Sequence, residues 1–413
     1  MAVAPEVPAL AEPVVPVRRS WIGLLFAANL GLWMAFFTPI QVLLPQQIAD
    51  LVDSDKETWL GVVTGIGALV AIIVNPLAGA LSDRTRLRLF GRRYGRRHCW
   101  TVGGGVLSVL CLLALSAAPN LVAVTLAWAG AQVGLNIMLA TLTAAVPDRV
   151  PVEQRGLVSG WIGMPQALGL VIGAILVTAV VTTTGPGYLL MAVGLAVLVA
   201  PFVLRTPDQP LPDGPVPRTR WKLDLADNPD FAWAFGTRFL VQLGNALGTL
   251  YLLYFLGDAV RLADPDTGLL IMILLYTVGM IGTAMLGGWY SDRLGRRKIF
   301  VIWSGVLIAI AASLLAIWPT WPVSMVAAFL FGAGYGVYLA VDTALITQVL
   351  PTATDRAKDL GVINIATAAP QVLGPALAAP IVTHLGGYPV LFALTAAVTL
   401  AGAVAVVKIR SVA

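Results

Sequence analysis

The chain reads as an all-α polytopic membrane protein, with twelve transmembrane helices in two six-helix bundles of one design. Three observations predict this. The first is composition: of 413 residues, 58% are hydrophobic and 11% charged, and the mean hydropathy is +0.86. Soluble domains carry about 25% charged residues, so most of this chain needs lipid as its solvent. The second is a series of apolar runs of about 20 residues or more, separated by short polar segments. The third is repetition. A stretch from Gly79 through Ser82, Asp83 and Arg84 to Gly91, Arg92 and Arg93 returns about 209 residues later, in a shorter form, as Gly288, Ser291, Asp292, Arg293, Gly295, Arg296 and Arg297.

The runs place spans at 21–45, 58–81, 98–118, 121–146, 156–182 and 186–204, then at 231–257, 267–290, 299–318, 322–350, 360–384 and 387–407. Residues 1–20 are rich in Pro and Ala and lack the basic start and cleavage site of a signal peptide. They are expected to be a disordered cytoplasmic tail. Residues 21–204 form the first bundle, 205–229 a polar cytoplasmic linker, 230–408 the second bundle and 409–413 a second cytoplasmic tail. The repeated segments fall after the second span of each bundle, which makes the duplication architectural.

Charge distribution sets the orientation. With the N-terminus cytoplasmic, 23 of the 26 Lys and Arg residues lie on the inner side, leaving Lys56 and Arg261 outside and Arg238 within a span. Asp50, Asp53, Asp55, Glu57, Asp258, Asp264 and Asp266 lie on the outer side. This is the positive-inside pattern. The net charge of +5 is therefore a topology signal and not a sign of nucleic-acid binding. Both termini are expected in the cytoplasm of a cell-membrane protein.

The residue inventory excludes several chemistries. Cys99 and Cys111 lie 12 residues apart in one apolar run, about 18 Å along a helix, too far for a disulfide. No His/Cys cluster, Ser-His-Asp set or phosphate-binding glycine loop is present. No enzyme activity, metal or cofactor is expected. His98 beside the basic loop and His384 near an outer end read as interfacial histidines.

A second echo supports the duplication. Pro165, Gln166 and Gly169 in the fifth span correspond to Pro370, Gln371 and Gly374 in the eleventh, 205 residues on. Pro165 and Pro370 are helix-kink positions. The glycines fit close helix packing as well as a solute contact.

The repeated loop is a candidate cytoplasmic gate. A carboxylate at Asp83 or Asp292 can accept from backbone N–H groups at a neighbouring helix start. Arg84, Arg92, Arg293 and Arg296 can bridge to other loops or to anionic headgroups. Such contacts form only when the cytoplasmic ends are close. The glycines of the motif, Gly79, Gly91, Gly288 and Gly295, complete the candidate gating set.

These motifs resemble a known family. The run from Gly288 through Asp292 and Arg293 to Gly295 and Arg296 is similar to the loop signature of the major facilitator superfamily. The longer first copy, beginning at Asn75, Pro76 and Gly79, resembles the glycoside–pentoside–hexuronide:cation symporters and the sucrose/proton symporters. The resemblance implies the major facilitator fold, alternating access and a small-molecule substrate. Sodium-coupled relatives carry an Asp before that proline. Asn75 stands there in this chain, which points to a proton rather than sodium. The first loop also carries an extra residue near Leu89 and continues as Tyr94, Gly95, Arg96 and Arg97.

Superfamily architecture places spans 1, 4, 7 and 10 around a central cavity. Asp342 lies nine residues before Pro351, about 13 Å along a helix, near the middle of a core about 30 Å thick. Arg238 lies at similar depth in span 7. A charge at that depth needs a cavity or a partner, so the two form a candidate proton-coupling pair. A static ion pair that fixes helix packing is the alternative. The candidate solute site takes Asn29 and Trp33 in span 1, Gln132 and Asn136 in span 4, Gln242 and Asn245 in span 7, and Tyr335 and Tyr338 in span 10. Tyr251 and Tyr254 mark span 7 too. Amides suit sugar hydroxyls and rings suit sugar C–H faces, although amides also serve as glue between helices.

The expected function is secondary active transport of a sugar- or glycoside-like solute by proton-coupled symport, by a monomer in the lipid bilayer. A proton-coupled antiporter exporting a drug or metabolite shares the same fold and loop. A non-transporting sensor on a transporter fold would need a signalling domain, and the longest polar segment is about 25 residues.

Overall fold

The computed structural model describes residues 13–52, 54–86, 88–89, 92–93, 95–210, 228–294, 297–349 and 356–410. Nearly all are helical. The first half runs α1 (Arg19–Thr38), a π-helical turn (Pro39–Leu43), α2 (Leu44–Leu51), α3 (Lys56–Arg84), α4 (His98–Ser116), α5 (Leu121–Arg149), α6 (Val152–Ile175) and α7 (Thr184–Arg205). The second runs α8 (Pro229–Leu250), α9 (Leu252–Asp258), α10 (Pro265–Leu294), α11 (Arg297–Ile317), α12 (Trp321–Val349), α13 (Arg356–His384) and α14 (Gly387–Ala405). Within the stretched first loop, β1 (Arg88–Leu89) and β2 (Arg92–Arg93) pair antiparallel.

Among the described residues ten helices are long and apolar enough to cross a membrane. There are eleven when α8 and α9, bent by 42° at their junction, are taken as one broken span. The 29-residue α13, with Pro370, Pro375 and Pro380 inside it, is the remaining long helix. The helices start where local chemistry permits. Asn120 caps α5 by accepting from the Ala123 amide at 3.0 Å, and Pro229 opens α8, where its missing N–H costs nothing. On α3, Leu69, Ile73, Leu77 and Leu81 recur every four residues and are all exposed, a stripe suited to acyl chains.

The chain divides into two compact units. The first comprises Met1–Pro39 and Val70–Arg218, and the second Ile40–Leu69 and Thr219–Ala413. The acidic ends of the first two spans therefore belong with the second unit. Within the first, α1 packs on α6 and α7, and α4 packs on α5 and α7. Within the second, α8 packs on α13 and α14, and α11 packs on α12 and α14. The scheme is the same in both.

Lipid tails give apolar helices no hydrophobic reason to associate, so close backbone approach matters. The repeated glycine provides it. A β-carbon on Gly169 of α6 would lie 2.9 Å from the Met34 nitrogen and the Trp33 Cβ of α1. A β-carbon on Gly374 of α13 would lie 3.0 Å from the Ala246 Cβ of α8. The Pro-Gln-x-Leu-Gly echo thus marks the same helix contact twice. Pro165 and Pro370 are both buried, one turn before it.

Parts of two segments, the expected disordered tail of residues 1–20 and the expected linker of residues 205–229, are held to helix ends. Val17 donates its amide to Gln154 Oε1 at 2.8 Å and accepts from Gln154 Nε2 at 3.1 Å. Residues 206–209 lie against the start of α4, where the Arg96 amide donates to the Gln209 carbonyl.

Candidate functional site

In the second unit, Asp342 of α12 is buried and both of its carboxylate oxygens are engaged. Oδ2 meets Arg238 Nη1 of α8 at 3.1 Å, and Oδ1 accepts from the Tyr338 hydroxyl at 2.8 Å. Arg238 Nε donates to Thr367 Oγ1 of α13 at 2.8 Å. A buried ion pair is tolerable only when its spare lone pairs and protons find such partners. Tyr338 sits one turn before Asp342, which is why its hydroxyl reaches the carboxylate.

The network continues through rings and amides. Tyr335 donates to Gln242 Oε1 at 2.7 Å. Its ring lies 6.0 Å from that of Tyr338 and 6.3 Å from that of Tyr276, inclined by 29° and 31°. Tyr276 of α10 donates to Asn245 Oδ1 at 3.0 Å. Six residues singled out in the sequence, Arg238, Gln242, Asn245, Tyr335, Tyr338 and Asp342, therefore share one neighbourhood. Sequence reasoning missed Tyr276 and Thr367. Thr367 lies in an Ala-rich run with nothing to set it apart, whereas Tyr276 is the sole tyrosine of span 8 before Gly288. Tyr251 and Tyr254, grouped with span 7 on sequence, instead bond to backbone at the acidic end.

In the first unit the polar set is neutral. Asn136 Nδ2 donates to the Gln132 carbonyl at 2.9 Å and to Gln132 Oε1 at 3.0 Å. Asn75 Nδ2 of α3 reaches Asn136 Oδ1 at 3.4 Å. Gln132 and Asn136 are both buried. The neutral Asn75 thus belongs to an amide chain joining α3 to α5. Asn29 is buried and donates to the Leu25 carbonyl of its own helix at 2.8 Å, a local bond rather than a link to another span. Trp33 stacks on Phe37 with centroids 5.3 Å apart.

At the arginine-rich end, Arg97 draws three elements together. Its guanidinium bonds Asp148 Oδ2 at 2.7 Å and also reaches Ser82 Oγ and Asp83 Oδ1. Arg96 pairs with Asp148 Oδ1 at 2.9 Å. Burial works against the charge on Arg97, but Asp148 and Asp83 outweigh it and hold its proton more tightly than usual. The carboxylate at a helix start is that of Asp208, not Asp83. Asp208 Oδ2 accepts from the Arg97 and His98 amides at 2.8 and 2.6 Å, capping α4. His98 Nε2 lies 3.2 Å from Thr206 Oγ1.

Asp83 and Arg84 sit in the last turn of α3, both exposed, and a β-carbon at Gly79 would meet open space. Gly288, Asp292 and Arg293 lie in the last turns of α10, and Arg92 in β2, but their side chains are outside the described residues. Gly91, Gly295 and Arg296 are outside them altogether.

With the fold and its polar groups described, the likeness to known proteins decides the family. Over residues 25–259, and again over 234–412, the chain matches the Major Facilitator Superfamily. The chain belongs to this superfamily. Membership makes it a multi-pass membrane transporter of a small-molecule substrate rather than an enzyme. A stretch of 137 residues is 24% identical to the general alpha-glucoside permease of Schizosaccharomyces pombe, covering 29% of this chain and 24% of the permease. The chain thus aligns with about a quarter of that relative.

Three crystal structures share the superfamily fold over 94% of this chain. A mutant of the nucleoside transporter NupG superposes with a TM-score of 0.73 at 14% identity over 99% of its length. A POT family transporter in complex with a thioalcohol-conjugated peptide gives 0.76 at 13% over 95%. A bacterial homologue of the human lysosomal transporter Spinster, in an inward-facing, unoccupied conformation, gives 0.67 at 15% over 95%. At these identities the likeness is one of fold.

Proposed function

We propose that this superfamily member is a proton-driven symporter of a small polar solute of the sugar or glycoside kind. It acts as a monomer in the cytoplasmic membrane, with its termini and arginine-rich loops on the cytoplasmic side. One observation carries the reading: a buried carboxylate, Asp342, shared between Arg238 and Tyr338 and continuous with a tyrosine–amide network. The likeness to an alpha-glucoside permease supports the solute class. The neutral Asn75, spent on Asn136, supports a proton over sodium.

The chemistry is a proton exchange at one carboxylate. When Asp342 takes a proton on Oδ2, its ion pair with Arg238 loses the negative partner. Arg238 keeps Thr367 and needs a further acceptor, which a solute hydroxyl can supply. Gln242, Asn245 and Tyr335 offer further polar contacts, and Asn29, Trp33, Gln132 and Asn136 are the solute-binding candidates of the first unit. Release of the proton restores the ion pair and expels the solute oxygen. Asp83, Arg84, Gly79 and Arg92, with Gly91, Gly288, Asp292, Arg293, Gly295 and Arg296, act as the cytoplasmic gate.

The test is reconstitution into liposomes with an imposed proton gradient and a panel of sugars, glycosides and cationic drugs. Solute uptake accompanied by proton entry is expected. Solute moving against inward protons would replace symport by antiport, and no movement of any compound would remove the solute class.

A further inference from the structure

Helix α8 carries three polar residues at spacings of four and three, Arg238, Gln242 and Asn245. That spacing puts them on one face, about 10 Å from end to end. Each meets a partner from another helix of the same unit. Arg238 meets Asp342 of α12, Gln242 accepts from Tyr335 of α12, and Asn245 accepts from Tyr276 of α10.

These bonds are one-sided. Both amides are held by their oxygens, because the two tyrosines donate. Both Asp342 oxygens are engaged as well, by Arg238 and Tyr338. The nitrogens differ. Among the described residues, Arg238 Nη2, Gln242 Nε2 and Asn245 Nδ2 make no hydrogen bond, and none of the three is sealed from water. Each carries two N–H groups. An incoming solute therefore meets a row of donors that ends in a guanidinium.

Formal charge narrows the choice of solute. Arg238 and Asp342 are the two charges of this neighbourhood among the described residues. In the cycle proposed above, a proton forms an O–H bond at Asp342 Oδ2 and leaves Arg238 without a counter-charge. A sugar hydroxyl then supplies an acceptor but no charge, and a cation left unpaired at this depth is costly. A cationic solute adds a second positive charge. A carboxylate restores neutrality, and its two oxygens match the planar fork of a guanidinium.

We propose that the α8 stripe selects an acidic solute, whose carboxylate takes the place of ionised Asp342 on Arg238 while its other oxygens accept from Gln242 and Asn245. The proposal rests on the symporter reading and deepens it by making the small polar solute a monocarboxylate rather than a neutral sugar. One proton and one negative charge travel together, so the charge moved in each cycle is zero. When the Asp342 O–H bond breaks, the proton leaves, Asp342 regains Arg238 and the solute anion is displaced.

The experiment uses the full chain in phosphatidylcholine nanodiscs at mildly acidic pH. Its probes are gluconate, glucitol and glucamine, one carbon chain ending in a carboxylate, a hydroxyl or an amine. Isothermal titration should rank gluconate above glucitol by about tenfold, the gain of a charge-assisted bond over a neutral one, with glucamine weakest. Asn245→Asp keeps the oxygen that accepts from Tyr276 and turns the free end into a carboxylate. It should remove the preference for gluconate. In proteoliposomes, gluconate uptake driven by a proton gradient should be the same whether valinomycin and potassium clamp the potential at zero or inside negative. The parent ranking and the potential test need no variant. Glucitol bound as tightly as gluconate, no binding of gluconate, or uptake that rises with an inside-negative potential overturns the proposal. Proton-coupled uptake of a neutral sugar without gluconate binding sinks the acidic solute and leaves symport standing. Gluconate preference that Asn245→Asp removes, with no proton movement, supports the donor stripe and sinks symport.

Discussion

The two halves use one packing scheme for two kinds of chemistry. In the first, Asn75, Asn136 and Gln132 form a chain of neutral amides between α3 and α5. In the second, Arg238, Asp342 and Tyr338 place an ion pair between α8 and α12, with Thr367 of α13 as its outrigger. Amides keep the same charge at every pH, whereas the ion pair changes when a proton arrives. Under the proposed function, energy coupling would be concentrated in the second half, and the first half would supply neutral hydrogen bonds. Helix contacts need both halves alike, which is why Gly169 and Gly374 recur while the polar residues diverge.

The sharpest way to break this contrast is Asp342→Asn. The variant should lose gradient-driven accumulation while retaining exchange of solute down its gradient. Full proton-driven uptake by Asp342→Asn would show that coupling lies elsewhere. Arg238→Leu should come next. It strands Asp342 without its cation and is expected to cost about 3–5 kcal/mol in thermal unfolding of the purified protein, much of it recovered in the double variant Arg238→Leu/Asp342→Leu. Asn136→Leu in the first half should cost only about 1–3 kcal/mol. Equal costs would erase the distinction.

Gly169→Leu and Gly374→Leu test the shared part. Each is expected to destabilise by about 1–3 kcal/mol through overpacking, and by similar amounts in the two halves. A large disparity would mean that the repeated motif serves packing in only one of them. The smallest effect is expected from Thr367→Val, which removes one bond to Arg238. About 0.5–1.5 kcal/mol should be lost, and Thr367→Ser should restore it.

Much of this molecule is legible in its sequence because lipid imposes a simple code. Every span must be long and apolar, and the surplus of arginine marks one end, so the helices and the duplication can be read directly. Intramembrane charges are costly, so Arg238 and Asp342 declare themselves as partners. Proximity between unremarkable residues is not encoded this way. Thr367 is one threonine in an Ala-rich run, and only folding shows that it faces Arg238. Tyr251 shares its helix face with no obvious signal of the bend, and the break there redirects it to the Glu57 carbonyl. Asp208 takes the part expected of Asp83 for a related reason. Asp83 is still in the last helical turn of α3, whereas Asp208 follows α7 and is free to reach the amides of α4.

That cap has a practical consequence for engineering. Asp208 fills the start of α4 so closely that a β-carbon at Gly95 would lie 2.1 Å from its carboxyl carbon. A reporter domain spliced between Thr206 and Gln209 would strip α4 of its cap and pull on the Arg97 junction. The same insertion placed after Pro210 would leave every described bond in place.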